Sequence, residues 1–116
     1  MGDRGNIVVQ QDDGKEIYFY THWYGSELPK ILRNALDRGK DRWNDSPYLG
    51  RIIFCEMVKE DIDGLIGYGI STYEIDNNHP NLVVNAPLQK VTVEMKETWS
   101  FDEFMKLNPD NPIPGF

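Results

Sequence analysis

A single cysteine, Cys55, and two histidines, His22 and His79, are all that this 116-residue chain offers of the side chains most used for cross-linking and structural metal binding. One cysteine excludes an internal disulfide, and three such ligands fall short of a four-ligand structural zinc site. Stability must come from packing, and a chain of this length buries roughly two-thirds of its unfolded surface around one core. Long apolar runs are also missing. No stretch approaches the roughly 20 residues of a membrane helix, and Met1-Gly2-Asp3-Arg4-Gly5-Asn6 lacks the apolar core of a signal peptide, so the expectation is a cytoplasmic protein with no membrane partner. Positive charge is scarce: 12 Lys and Arg stand against 19 Asp and Glu, a net charge of −7. That balance argues against extended nucleic acid as a partner, which needs clustered cations to displace counterions.

The average hides a local reversal. Lys30 to Arg51 holds six basic residues (Lys30, Arg33, Arg38, Lys40, Arg42, Arg51) against Asp37, Asp41 and Asp45, a net +3 that leaves −10 for the rest. A basic island on an acidic body suits a small anion better than a polymer, although solvated helix faces have the same look.

Periodicity outlines the fold. Asn6–Gln11 reads as a strand, Asp12-Asp13-Gly14-Lys15 as a turn, and Ile17–Tyr24 as a second strand. Alternation puts Ile17, Phe19, Thr21 and Trp23 on a core face and Tyr18, Tyr20, His22 and Tyr24 on the other, a row of polar rings that is either covered or used. Leu28, Ile31, Leu32, Ala35 and Leu36 repeat at helical spacing up to Gly39. Ser46-Pro47 reads as a cap and first turn of a second helix carrying Leu49, Ile52, Ile53 and Met57. Gly67–Ile75, Leu82–Val84 and Val91–Met95 read as strands, with Gly67 and Gly69 marking a bulge or the close approach of another group. Ser100-Phe101-Asp102-Glu103 has the spacing of a capping box and opens a short helix. The expectation is a single α+β domain over 1–107, one antiparallel or mixed sheet of about five strands packed by two or three helices in the order β-β-α-α-β-β-β-α, with a Pro-rich tail at 108–116.

Candidate binding residues fall in two places. His22, Tyr20 and Tyr24 cluster at the end of the second strand, and Arg38, Arg42 and Trp43 combine guanidinium forks for an anion with an indole for stacking on a base. Ser71 and His79 are counted with them as ligand-binding candidates, which requires the fold to bring their segments alongside. The structural alternative is a hydrogen-bonded histidine, arginines paired with Asp37, Asp41 and Asp45, and a Trp43 that closes the core between helices. Trp23 is expected in the core. No residues are expected to be catalytic, since no serine, histidine and carboxylate have diagnostic spacing. Gly64-Leu65-Ile66-Gly67-Tyr68-Gly69 leads into a strand and lacks the signature of a nucleotide loop. Asp61-Ile62-Asp63-Gly64 lacks the remaining ligands of a calcium loop. No cofactor and no metal are implied.

Tyr20-Thr21-His22-Trp23-Tyr24-Gly25, Arg38-Gly39-Lys40-Asp41-Arg42-Trp43, Arg51-Ile52-Ile53-Phe54, Gly67-Tyr68-Gly69-Ile70-Ser71-Thr72 and Asp76-Asn77-Asn78-His79-Pro80 together resemble small uncharacterised proteins of bacteriophages, prophages and bacterial genomes. The resemblance runs from about Asn6 to about Val93 and carries no assigned activity. It implies a phage accessory protein of the host cytoplasm, engaged in takeover or interference with host defence. The leading expectation is a non-catalytic binder that sequesters a small anionic, nucleotide-like ligand in a pocket that a homodimer would complete. The alternative is an inhibitor that engages a host protein through its acidic surface, with Glu56, Glu60, Asp61 and Asp63 as contacts. A small phosphoester hydrolase ranks third.

Overall fold

A computed structural model of the chain describes residues 2–116. Six strands form one mixed sheet: β1 (Gly5–Gln10), β2 (Glu16–Thr21), β3 (Tyr68–Ser71), β4 (Leu82–Asn85), β5 (Lys90–Val93) and β6 (Glu97–Ser100), in the spatial order β3-β2-β1-β4-β5-β6. Neighbours are antiparallel except β1 and β4, which are parallel with Ile7 beside Leu82. Helices α1 (Leu28–Arg38) and α2 (Ser46–Val58) separate β2 from β3, and the short α3 (Phe101–Met105) follows β6. The chain is thus α+β, with six strands where about five are expected from sequence.

The additional strand is β6. Glu97–Ser100 runs directly into the capping box, where Ser100 accepts from the Glu103 amide and the Glu103 carboxylate accepts from Ser100, so the sequence there reads only as a helix start. Its hairpin with β5 turns through Glu94-Met95-Lys96, with Met95 at φ +62°. A left-handed position is normally announced by glycine or asparagine, and methionine gives no such signal.

All helices pack on one face of the sheet. Ile7, Val9 and Phe19 point there, and by the same alternation so do Leu82, Val84, Val91 and Val93, meeting Leu32 and Leu36 of α1, Leu49 and Ile53 of α2, and Phe101 and Phe104 of α3. Proline sits in the first turn of both long helices. In α2 the capping carboxylate is Asp45, which accepts from the Tyr48 amide, rather than Ser46, which lies buried as the first helical residue.

The opposite face carries Tyr18, Tyr20, Val8 and Asn6, and the connection from β3 to β4 crosses over part of it. Buried Asn6 donates through Nδ2 to the main-chain oxygens of Ile75 and Asp76, at 3.2 and 3.4 Å. The tyrosine row is therefore partly covered. The same crossover ends β3 early: Ser71 Oγ donates to the Tyr73 carbonyl and accepts from its amide, turning the chain off the sheet before the expected limit at Ile75. The tail is irregular but docked, with Ile113 half-buried against the core and Phe116 stacked on His79 at 5.1 Å between ring centres.

Candidate functional site

A groove of about 590 Å³ opens where the β3 edge of the sheet meets α1 and the end of α2. Helix α1 and the turn before it contribute Glu27, Lys30, Ile31 and Asn34, whose i, i+3, i+4, i+7 spacing places them in one stripe. Met57, Lys59, Glu60 and Asp61 come from the end of α2 and beyond. Three rings, Trp23, Tyr24 and Tyr68, complete the wall.

The rings reach the groove because β2 stops at Thr21. His22 still donates from its amide to the Gly67 carbonyl at 2.8 Å, but the Tyr24 amide turns back to Thr21 Oγ1, and strand alternation ends there. Trp23 therefore leaves the core face on which sequence parity puts it and is 42% exposed. Its indole lies directly on Gly67: a Cβ at that position would sit 2.0 Å from Trp23 Cζ3. The close approach expected at the glycines is thus made by a ring at Gly67, and is absent at Gly69. Tyr68 is on the helix side of β3, opposite Thr21. Burial raises the Tyr68 phenol above its ordinary value, and Tyr24 and then Asp61 push it further the same way, while a hydrogen bond with Thr21 opposes them.

Charge around the groove is predominantly negative. Glu27, Glu56, Glu60 and Asp61 face Lys30 and Lys59. Glu56, almost fully buried, is neutralised by Lys59 Nζ at 2.6 Å and Arg38 Nε at 3.2 Å. Among the described residues Glu27, Glu60 and Asp61 enter no salt bridge. The groove thus presents unneutralised carboxylates beside aromatic faces, a setting that attracts a cation twice over.

Of the eight residues singled out from the sequence, only Tyr24 lines this groove. Arg38 touches its border through Glu56 and also donates to the Ile52 carbonyl at 3.1 Å. Arg42 lies 5.2 Å over the Tyr48 ring. Trp43 donates from Nε1 to the Leu36 carbonyl at 2.9 Å and packs edge-on against Phe101, closing the core between α1, α2 and α3. Tyr20 and His22 pair on the opposite sheet face, hydroxyl to Nδ1 at 2.8 Å. Ser71 is spent on the turn to Tyr73. His79 sits between Asp3, 2.5 Å from its Nε2, and the Phe116 main-chain oxygen, 2.6 Å from its Nδ1. The structure therefore does not gather the arginines, Trp43 and the His22 cluster into a common hollow.

Asp3 also accepts from Ser26, so serine, carboxylate and imidazole are wired with the carboxylate in the middle. Nucleophilic catalysis needs the base against the hydroxyl, and this order does not supply that. Burial would raise the Asp3 carboxyl, but the hydrogen bonds from Ser26 and His79 win and hold it below its ordinary value. Among the described residues, no group of three or more His, Cys, Asp or Glu is arranged to hold a metal ion, and no helix is long and apolar enough to cross a membrane. Compared with protein-family models, curated proteins and solved structures, the chain matches none.

Sequence reasoning missed Trp23 and Tyr68 as groove residues. The available signal was Gly67, which in a strand marks the close approach of another group. Glu56, Glu60 and Asp61, named from sequence only as an acidic surface, do border the groove.

Proposed function

We propose that the protein is a non-catalytic protein-binding module that grips a basic segment of its partner in the groove between α1, α2 and β3. The observation that carries this reading is the combination of three aromatic rings with the unpaired carboxylates of Glu27, Glu60 and Asp61 in one concave site. Aromatic anchors dominate the energetics of protein interfaces, and a lysine or arginine seated against them gains both ring and carboxylate attraction. The same carboxylates repel a phosphate, which sets this reading above sequestration of a nucleotide-like anion.

A second feature favours a macromolecule over a small cation. The loop after α2, which starts beside the groove at Asp61, exposes Ile62, Leu65 and Ile66 within five residues, with Leu65 96% accessible. Contiguous exposed apolar side chains mark interaction surfaces. If the phage setting implied by the resemblance holds, the partner is a host protein and the module its inhibitor.

The test is selection of displayed random peptides on the immobilised protein, alongside thermal-shift screening with a nucleotide panel. Enrichment of Lys- and Arg-bearing peptides, lost in the Glu60→Lys/Asp61→Lys double variant, supports the reading. Enrichment of acidic peptides, or a nucleotide that raises the melting temperature where basic peptides do not, overturns it.

A further inference from the structure

We infer that the basic partner segment binds extended, as a seventh strand added to the free edge of β3; this rests on the groove reading above and specifies its geometry. Strand β3 ends the sheet, and among the described residues nothing pairs with its outer side. The His22 amide donates to Gly67, so the facing pair His22 and Gly67 is a hydrogen-bonded one. Facing pairs alternate along an antiparallel ladder, which makes Tyr20 with Gly69 and Tyr18 with Ser71 the bonded pairs of the register. The amides and carbonyls of Tyr68 and Ile70 consequently point away from β2, toward solvent. Two residues thus offer two donors and two acceptors in the spacing that an incoming strand requires.

Natural proteins usually guard such an edge with lysine, proline or a covering loop. This one presents Gly69 and Ile70, the latter 60% exposed, with Leu65 and Ile66 nearby in sequence and still more exposed. The side chains of Tyr68 and Ile70 lie on the helix side of the sheet, because they face Thr21 and Phe19, and Tyr68 is itself a wall of the groove. Alternate side chains of an added strand must therefore project to the helix side, one of them beside Tyr68 and into the groove, the next beside Ile70. The occupant that fits is a segment with a basic residue and an apolar residue two positions apart. A second copy of this chain fits poorly, since each copy carries −7 and edge-to-edge pairing would bring two acid-bordered grooves together.

The experiment uses a Lys- or Arg-bearing peptide obtained from the displayed library. Amide hydrogen exchange on the full-length protein should show protection of Tyr68 and Ile70 on addition of the peptide. Ile70→Pro should weaken binding by roughly tenfold, about the loss of one net hydrogen bond, while sparing the fold because the lost N–H points off the sheet. Should that variant fail to fold, N-methylation of the peptide at successive amides replaces it: binding should fall sharply at alternate positions only. Selected sequences should carry basic and apolar residues two apart. Unchanged exchange at Tyr68 and Ile70, or binding indifferent both to peptide N-methylation and to Ile70→Pro, would overturn strand addition. If Glu60→Lys/Asp61→Lys still abolishes that binding, the groove reading survives and only the seventh strand is wrong. Dimerisation of the wild type that Ile70→Pro abolishes would assign the edge to a second copy and also overturn the proposal.

Discussion

Replacing Gly67 with alanine tests the junction on which the groove depends. Two penalties add. Gly67 sits at φ +94°, in the left-handed region, where a Cβ costs about 1–2 kcal/mol. The new Cβ would also lie 2.0, 2.7 and 2.8 Å from three atoms of the Trp23 indole. Carbon atoms pack at roughly 3.5–4.0 Å, so the ring must move by about 1.5 Å or more. Trp23 is 42% exposed and can swing outward, so the clash converts into lost packing of a half-buried indole, worth about 1–2 kcal/mol. The expected total is about 2–4 kcal/mol, or a fall in melting temperature on the order of 10 °C. Urea titration monitored by circular dichroism measures it. The Trp23→Ala background isolates the contact: there Gly67→Ala should cost only the backbone component, giving a coupling of about 1–2 kcal/mol. Gly69→Ala is the control, because its Cβ would meet only Ile75 Cδ1, at an ordinary 3.7 Å. Additive costs at Gly67 and Trp23, or a Gly67→Ala protein as stable as the wild type, would refute the packing described here and with it the wall of the groove.

The remaining expectations follow from particular contacts. Trp43→Ala should destabilise by about 3–5 kcal/mol in a denaturant titration, as a core ring does, and Trp43→Phe by about 1 kcal/mol through the lost bond to Leu36; a Trp43→Ala protein of undiminished stability would contradict its place in the core. Glu56→Ala should cost only about 1 kcal/mol, because Arg38 and Lys59 are more than half exposed and regain water. Asp3 is depressed in the folded state, so its contribution is present above its ordinary value of 3.8 and is lost as the pH falls through the lower folded value. The gap in melting temperature between wild type and Asp3→Asn should therefore be open at neutral pH and close in acid below that value; a gap independent of pH would contradict the assignment. Ser100→Ala should cost about 1 kcal/mol by removing the capping box before α3.

Much of the scaffold was legible because its elements are periodic. Leu28, Leu32, Ala35 and Leu36 do form the buried stripe of α1, and Ile7, Val9 and Phe19 the core face of β1 and β2. Parity failed at Trp23 because alternation holds only while a strand lasts: the Tyr24 amide turns back to Thr21 Oγ1, and the indole comes to lie on Gly67, more than forty residues away in the chain. Strand β6 was hidden because a methionine occupies the left-handed position of its hairpin. Residue chemistry alone did not tell which of the candidate residues share a hollow. Arginine and tryptophan in Arg38–Trp43 have the same types in a binding cleft as in a helix junction, and only tertiary placement reveals that Trp43 faces Phe101 and that Arg38 neutralises Glu56. The groove is assembled from three separated stretches, 23–34, 56–61 and Tyr68, none of which carries a motif.

The most direct test is chemical-shift mapping of a selected basic peptide on the isotope-labelled protein. The account predicts the largest perturbations at the Trp23 indole and at Tyr24, Asp61 and Tyr68, growing weaker as salt is raised. Perturbations centred instead on Arg38, Arg42 and Trp43, with the groove residues silent, would contradict it.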